Sequence, residues 1–579
     1  YDAEYVLTGT TADMKITVDI LVEFDGCQWF TLAYEPLGKE VAIHSMTLEI
    51  PLNRQYMTMF DDNRGIMTKV DLKKESRSEI ANDLSTMPCF WIGCEEVGLM
   101  GGMANLRGWY VQQKKNSMEL KLSDKVVTSV WNLIDTPLQL EKPRNLEFYL
   151  QATPVKDKNR NTRSFREGRN VLVWTTFGKK YFEYHIEPET MDLERLAGIK
   201  REREARHWRN FYYMAPHGVS PYSPDWNYFG WLWHSSPPNL GNYCVDGAIP
   251  TRERRNKVAF TYACFDCPSF FDYKLYGLNK LIENPDFGIE NMYYDLTWPK
   301  TCNNTAHGCG WTDEFGVRMS SFDIKGTREF NKRTYQLLKK KNPDAMFVYH
   351  LISTRTPSDS FADLLVQGES YDRAVAEKES YYDVFTPDMM RIAYNARSNE
   401  QEIWLIPQFL RAMQLFNPKR AAEWHSPQPT LDYACKHFLG YLMVHDLGFL
   451  YGWSTREPGT QLQKIQDQLG WDEHVVFHPY WKPSPVSKVS PDNDRVLVSA
   501  YTRGKQALLA VLNDTDQEKE VNISVDSKTL FGEKGAYTGT DGFAEAGTNA
   551  DFQILDDRLE LTVPPRGFRC IVFSGKKNP

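Results

Sequence analysis

The chain has 579 residues, of which 41% are hydrophobic and 25% charged, with both signs well mixed and a formal net charge of −8. That length calls for two to four domains, and the acidic balance excludes a dedicated nucleic-acid binder. Ten cysteines are too few for a disulfide-built scaffold, and no apolar run of about eighteen residues offers a membrane span.

From Asp13 to about Leu172 the chain reads as strands. Met14–Phe24 alternates apolar and polar residues, the period-two mark of a half-buried strand, and similar runs follow at Val41–Leu52, Leu120–Leu133 and Leu146–Ala152. Asn170–Ile186 reads as two strands joined at Gly178, and the glycine- and methionine-rich Gly98–Ala104 as a loop. An N-terminal β-sandwich over residues 1–190 is expected. The charged stretch 191–209 has the apolar spacing of a linker helix.

Residues 210–480 then alternate short apolar runs with longer amphipathic stretches, as repeated β-then-α units do. Strands are expected at Val258–Tyr262, Glu290–Tyr294, Ala345–Tyr349, Ser360–Leu365, Ile403–Ile406 and Gly448–Tyr451, with one or two more within Asn210–Trp233. Helices are expected at Thr327–Lys341 and Leu431–Met443. A central (β/α)8-type barrel fits this pattern, and the lack of a glycine-rich phosphate loop argues against a doubly wound open sheet. After the proline-rich His478–Pro485, the runs Val496–Tyr501, Ala507–Leu512, Val521–Val525 and Arg569–Phe573 make residues 481–579 a small antiparallel β-domain. The fold class is therefore multidomain, α/β and all-β together.

Working residues of a barrel stand at the carboxyl ends of its strands. Asp295 closes one expected strand and opens a long loop rich in glycine, tryptophan and acids; His350 and Glu369 close two others. Glycosidic cleavage needs one carboxylate at the anomeric carbon and one carboxylic acid at the departing oxygen, so Asp295 and Glu369 are the favoured pair. The adjacent acids Asp313 and Glu314 offer a second arrangement, in which one orients a substrate N-acetyl group and the other donates a proton. Asp363, inside its own expected strand, is a candidate substrate contact, as are Tyr293, His307 and His350.

Aromatic residues make up 13% of the chain, with 16 Trp and 30 Tyr. Their rings stack on sugar faces but equally fill β-sandwich cores. Trp231, Trp233, Trp298, Trp311 and Trp453 are the candidate sugar platforms at strand ends or in loops. The basic clusters Lys156–Arg169 and Lys200–Arg209 read as solvated surface, with an anionic substrate the lesser alternative.

Cys264-Phe-Asp-Cys267 follows one expected strand, and Cys302, His307 and Cys309 lie in the loop after the next. These residues have the makings of a structural zinc site; a Cys302–Cys309 disulfide and buried free thiols are the alternatives. None of them is expected to be catalytic. Without a His-x-His or His-Glu-x-x-His pattern, neither a catalytic metal nor a cofactor is expected.

The run Tyr293–Gly316, with His350, Ser360–Asp363 and Gln367-Gly-Glu369, resembles the glycoside-hydrolase-domain proteins of bacterial polysaccharide-utilisation systems. Those are distantly similar to the α-galactosidase and α-N-acetylgalactosaminidase clan, which joins a β-sandwich, a catalytic barrel and a C-terminal β-domain. The resemblance implies a retaining, exo-acting enzyme with Asp295 as nucleophile and Glu369 as acid/base. It further implies release of a galacto-configured sugar: galactose, anhydrogalactose or N-acetylgalactosamine. Asp313 and Glu314 resemble instead the acid pair of substrate-assisted β-N-acetylhexosaminidases, and a non-catalytic carbohydrate-binding protein on the same fold is the further alternative. A poly- or oligosaccharide is the expected partner. The first residue is Tyr1 rather than Met, which fits a chain trimmed of a leader, so a secreted or periplasmic location is expected.

Overall fold

The computed structural model describes residues 2–61, 67–69, 89–103, 105–111, 118–177, 191–220, 223–235, 261–351, 357–377, 384–397, 401–406, 409–419, 429–450, 455–488, 495–544 and 550–576. Trp453 and the second strand of the expected Asn170–Ile186 hairpin lie outside the described residues. The chain divides into two units. One comprises Tyr1–Asp157, Leu172–Leu365 and Ile392–Gln401; the other Lys158–Val171, Val366–Arg391 and Glu402–Pro579.

In the first unit, alternation of apolar residues produces an antiparallel sheet. Its spatial order is Ala3–Thr10, Met14–Val22, Cys27–Pro36, Arg144–Thr153, Gly98–Met103, Cys89–Gly93, Met59–Asp61 and Met67–Lys69. A three-stranded sheet of Met118–Leu122, Val126–Ile134 and Met46–Asn53 shares its core. That core gathers Phe90, Leu146 and Phe148 from the larger sheet with Leu120, Val127 and Trp131 from the smaller. Each such side chain contributes about 1.5–3 kcal/mol by leaving water.

Gly98–Met103, expected as a loop, is a strand paired on both sides. Its glycines make room rather than turns: a Cβ on Gly102 would stand 2.5 Å from the Tyr149 hydroxyl, and one on Gly101 2.9 Å from the Phe90 ring. The neighbouring aromatics occupy the volume that side chains on this strand would fill.

The same unit carries a parallel run of Arg209–Met214, Met292–Asp295 and Phe347–His350. Period-two exposure splits its tyrosines between two faces. Tyr294 points at helix Ile324–Lys341, where its hydroxyl bonds Thr334 at 2.8 Å and its ring stacks on Phe330. Tyr293 points the other way and stacks on Tyr213. Helix Leu193–Ala205 precedes this run, capped by Asp192, which accepts from the Arg195 amide. Helix Ile324–Lys341 starts at Asp323, and its basic last turn, Lys339–Lys341, suits the negative end of its dipole.

No closed (β/α)8 ring is seen among the described residues. Of the expected strand Val258–Tyr262, the described part, Thr261–Tyr262, pairs antiparallel with Gly218–Val219 instead of joining the parallel run. The expected strand Ser360–Leu365 begins later, at Leu364, because Pro357–Phe361 is taken up by turns.

In the second unit, Glu402–Leu405 pairs in parallel with Gly448–Phe449. Helix Pro429–Val444 packs on Val496–Arg503 and Gln506–Asn513. Those strands belong to a six-stranded sheet, opposed by a three-stranded sheet of Val486–Lys488, Lys519–Val525 and Arg558–Val563. Val498, Leu509, Ile523, Leu561 and Ile571 meet between the two sheets.

Candidate functional site

Asp295 is the last residue of its strand and lies directly opposite His350, the last residue of the next. The parallel register thus brings both polar side chains to the carboxyl ends of their strands. Imidazole Nδ1 of His350 is 3.1 Å from Oδ1 of Asp295, which also accepts from the Leu296 amide at 2.8 Å. The Tyr213 hydroxyl donates to Oδ2. Leu296 takes a left-handed φ of 56°, turning the chain sharply away from the strand end so that its amide faces back onto the carboxylate.

Burial alone would raise the pKa of Asp295. The charge and hydrogen bond of His350, with the donors of Tyr213 and Leu296, outweigh that and hold the carboxyl below its ordinary range. Asp295 is therefore a half-buried, ionised and fixed carboxylate, suited to attack an electron-poor carbon or to stabilise a cation beside it.

Tyr293 is fully buried beneath this group, stacked on Tyr213 at 5.2 Å and edge-on to His350 at 6.0 Å. Its ring packs beneath the carboxylate and the imidazole. Tyr213 was not legible as a site residue, because its strand was only loosely expected within Asn210–Trp233 and its partner is 82 positions away. Removal of its hydroxyl has a directional consequence. Tyr213→Phe raises the Asp295 pKa, and a reaction that needs the carboxylate loses activity as pH falls through that pKa. The acid limb of the pH–rate profile is expected to move to higher pH, while the alkaline limb stays in place.

The structure gives the other acids different work. Asp313 caps its own hairpin turn, its Oδ1 accepting from the amides of Phe315 at 3.0 Å and Val317 at 2.7 Å. Glu314 is exposed and ion-paired to Arg144 at 2.5 Å. Asp363 lies just ahead of its strand rather than within it. Its Oδ2 accepts from the Phe347 amide at 3.0 Å, and Lys339 and Lys156 stand 3.7 and 3.8 Å away. Phe347 starts the His350 strand, so Asp363 marks the amino end of the run, opposite to Asp295.

In the second unit, Glu369 is half-buried and opens a 3-10 turn immediately after Leu364–Gln367. Gly368 makes this possible, with a φ of +119° and a virtual Cβ only 3.0 Å from the Ile406 carbonyl oxygen. His445 is fully buried between the Tyr441 carbonyl and the Tyr480 hydroxyl, its pKa pushed down to about 4 by burial. Asp446 is held by Arg163 at 2.5 Å and Lys158 at 3.5 Å.

The candidate sugar platforms fare unevenly. Trp231 and Trp233 lie on helix Pro224–Trp233 rather than in a loop, the first exposed and the second buried against Phe270 and Tyr273. One face of Trp298 is taken by the Lys300 ammonium, 3.5 Å from the ring centre. Trp311 packs against the core of the N-terminal sheets with Arg107 over its ring.

His307 is fixed within its loop by both ring nitrogens. Its Nε2 is 3.1 Å from the Cys302 thiol, and its Nδ1 is 2.7 Å from the Leu232 carbonyl oxygen. Cys264, Cys302 and Cys309 close around it as free thiols, so no Cys302–Cys309 disulfide forms.

No family model matches this chain. No curated protein matches it either. Among solved structures, it is similar to the GH36 α-galactosidase AgaA of Geobacillus stearothermophilus, with a TM-score of 0.46 and 11% identity over 99% of this chain and 83% of the other. An α-galactosidase of Lactobacillus brevis has a TM-score of 0.42 and 10% identity over 100% and 86%. An α-amylase of Geobacillus thermoleovorans has a TM-score of 0.44 and 10% identity over 70% and 89%. At such scores the likeness does not extend to any particular side chain.

Proposed function

We propose that this chain is a retaining glycoside hydrolase with Asp295 as its nucleophile. The observation that carries the reading is a carboxylate at the end of a parallel strand, fixed by Tyr213, His350 and the Leu296 amide. A nucleophile has to be charged before the substrate arrives and has to keep its line of attack. Asp295 meets both conditions.

For the acid/base we take Glu369, on its sequence context alone. In the first half-reaction an Asp295 oxygen bonds the anomeric carbon as the bond to the departing oxygen breaks, and Glu369 gives that oxygen its proton. In the second, Glu369 takes a proton from water, the water oxygen bonds the anomeric carbon, and Asp295 leaves as carboxylate. Tyr213 and His350 position the nucleophile and never bond the sugar in this scheme.

The galacto-configured substrate rests on the resemblance of the Tyr293–Gly316 run and its companions, and so does exo action. A polymeric substrate would place the enzyme outside the cytoplasm, since such chains do not cross a membrane unaided. The substrate-assisted reading with Asp313 and Glu314 is the second choice, since Asp313 accepts from its own turn and Glu314 pairs with Arg144.

The test is a screen of the purified protein against aryl α- and β-galactosides, aryl N-acetylgalactosaminides and galactans. Release of sugar with net retention supports the proposal; affinity for a glycan without turnover would make the chain a binding protein. Glu369→Gln is expected to lower turnover of natural substrate by about 10²–10⁴-fold, because an amide cannot cycle a proton. An aryl glycoside whose leaving group needs no proton should still be cleaved to the glycosyl-enzyme. Azide, which needs no general base, should then restore turnover and yield a glycosyl azide of retained configuration. Unchanged turnover in the variant removes Glu369 from the mechanism.

A further inference from the structure

The loop that follows Asp295 carries a second polar cluster that the proposed reaction does not use. The Sγ atoms of Cys264, Cys302 and Cys309 and a ring nitrogen of His307 all lie within 4.8 Å of one another. The three cysteines are between 0% and 5% exposed, so the cluster is closed to solvent on their side.

The spacing has a chemical meaning. Zinc bound to thiolates at about 2.3 Å in a tetrahedron separates neighbouring sulfurs by about 3.8 Å. Cys264 and Cys309 stand 3.8 Å apart, too far for a disulfide and at the length of a tetrahedral edge. The Cys302–His307 edge, at 3.1 Å, is shorter than the sulfur–nitrogen edge of about 3.6 Å that such a site needs. A displacement of roughly half an ångström in the His307 ring therefore accommodates an ion.

The surroundings prepare the donors. A carbonyl oxygen only accepts, so the 2.7 Å contact with Leu232 places the His307 proton on Nδ1 and leaves the Nε2 lone pair facing the thiols. That arrangement, with the far nitrogen tied to a carbonyl, is how metal-binding imidazoles are oriented. The backbone is pinned as firmly. Asn304 Nδ2 donates to the carbonyls of Trp231, Leu232 and His234, which end helix Pro224–Trp233. The Cys264 amide donates to the Trp233 carbonyl, and the Ser321 hydroxyl to the Cys309 carbonyl. Gly310 lets the loop fold this tightly, since a Cβ there would fall 2.1 Å from the Asn303 carbonyl oxygen.

We propose that Cys264, Cys302, His307 and Cys309 bind a structural zinc ion that fastens the loop after Asp295 to the end of helix Pro224–Trp233. Three thiolates and one imidazole fill a tetrahedron and leave no open position, so the ion has no catalytic part. Cys267 lies outside the group of mutually close donors: its thiol touches His307 and stands 3.6 Å from the Ser269 hydroxyl, but it does not join the three other sulfurs. The inference is independent of the glycosidase reading and holds or fails whatever the substrate.

The experiment is elemental analysis of the full-length protein purified under reducing conditions, with cobalt replacement as its second arm. Zinc close to equimolar with the chain is expected. Cys302→Ser should lose most of it and melt at a lower Tm, while Cys267→Ser should keep it. Should Cys302→Ser not fold, the native protein is stripped with an organomercurial and a chelator, returned to reductant and titrated with Co(II). A thiolate-to-cobalt charge-transfer band with intense tetrahedral d–d bands, and recovery of Tm with zinc, would support the site. Protein that contains no zinc and gives no such cobalt spectrum, or thiol counting that shows Cys264 bonded to Cys309, would overturn it.

Discussion

Asp295→Asn is expected to abolish turnover, on the order of 10⁴-fold or more, as loss of a nucleophile does, and to leave the fold unchanged. The amide is isosteric with the carboxylate: its oxygen at the Oδ1 position still accepts from the Leu296 amide, and its NH2 at the Oδ2 position can donate to the Tyr213 hydroxyl, which turns from donor to acceptor. Nothing in the neighbourhood has to repack, and the strand pairing to His350 is set by backbone. What is lost is the charge. An amide oxygen neither attacks the anomeric carbon nor stabilises the cation that forms there. Circular dichroism and Tm should match the parent within error while steady-state rates on the best aryl glycoside fall to background. Turnover retained at more than a few percent of the parent would remove Asp295 from the role of nucleophile. Azide is a useful second readout: an azide anion able to reach the anomeric carbon in the space left by a truncated Asp295→Ala should give a product of inverted configuration. His350→Gln belongs to the same series with a smaller effect, since it removes the largest of the interactions that lower the Asp295 pKa but not the carboxylate.

Much of this arrangement was legible in the residues, and the failures have identifiable physical causes. Met14–Phe24 reads as a strand because apolar and polar residues alternate along it, and Thr327–Lys341 reads as a helix from its period of 3.6; the strand is found over Met14–Val22, half-buried on both faces, and the helix begins slightly earlier, at Ile324. Gly98–Met103 did not read as a strand because glycine ordinarily punctuates structure, whereas here it yields volume to Phe90 and Tyr149. Helix Pro224–Trp233 was missed because its aromatic sequence has no clear polar face. Asp363 shows how sensitive a site assignment is to strand limits. Expected within Ser360–Leu365, it instead precedes a strand that begins at Leu364, and that shift places it at the amino end of the run. Asp295 was placed correctly at a strand end because Met292–Asp295 is apolar until its last residue. Its donors Tyr213 and His350 come from other strands, and only the register assembles them.

The largest effect on stability is expected from a residue far from any proposed chemistry. Arg328, on helix Ile324–Lys341, is fully buried and reaches the turn between strands Met14–Val22 and Cys27–Pro36. Its Nε donates to Glu23 at 3.0 Å, its Nη2 to Asp25 at 2.8 Å, and its Nη1 to the Pro357 carbonyl at 2.8 Å. Lys332 at 3.1 Å and the Trp29 indole at 2.7 Å complete the shell around Glu23. Burial alone would raise the pKa of Glu23, but the hydrogen bonds and charge of Arg328, then Trp29 and Lys332, bring it from 4.5 down to about 2. Arg328→Met strands two buried carboxylates with Lys332 as their main remaining countercharge, and breaking such a pair costs about 3–5 kcal/mol. Chemical denaturation should show that loss, with local destabilisation of the helix as the first sign. The combined variant Glu23→Gln, Asp25→Asn, Arg328→Met should recover most of it, because it removes the charges together and leaves no ion unpaired. The pH dependence checks the same cause. A carboxylate whose pKa is lower in the folded chain contributes stability above its unfolded pKa and loses it as pH falls through the folded value. The parent should therefore lose stability between about pH 4.5 and 2. Over that window the combined variant should lose less, by the share that Glu23 contributes. If Arg328→Met unfolds at the same denaturant concentration as the parent, the network contributes nothing, and the packing of helix Ile324–Lys341 rests on Tyr294, Phe330 and Thr334 instead.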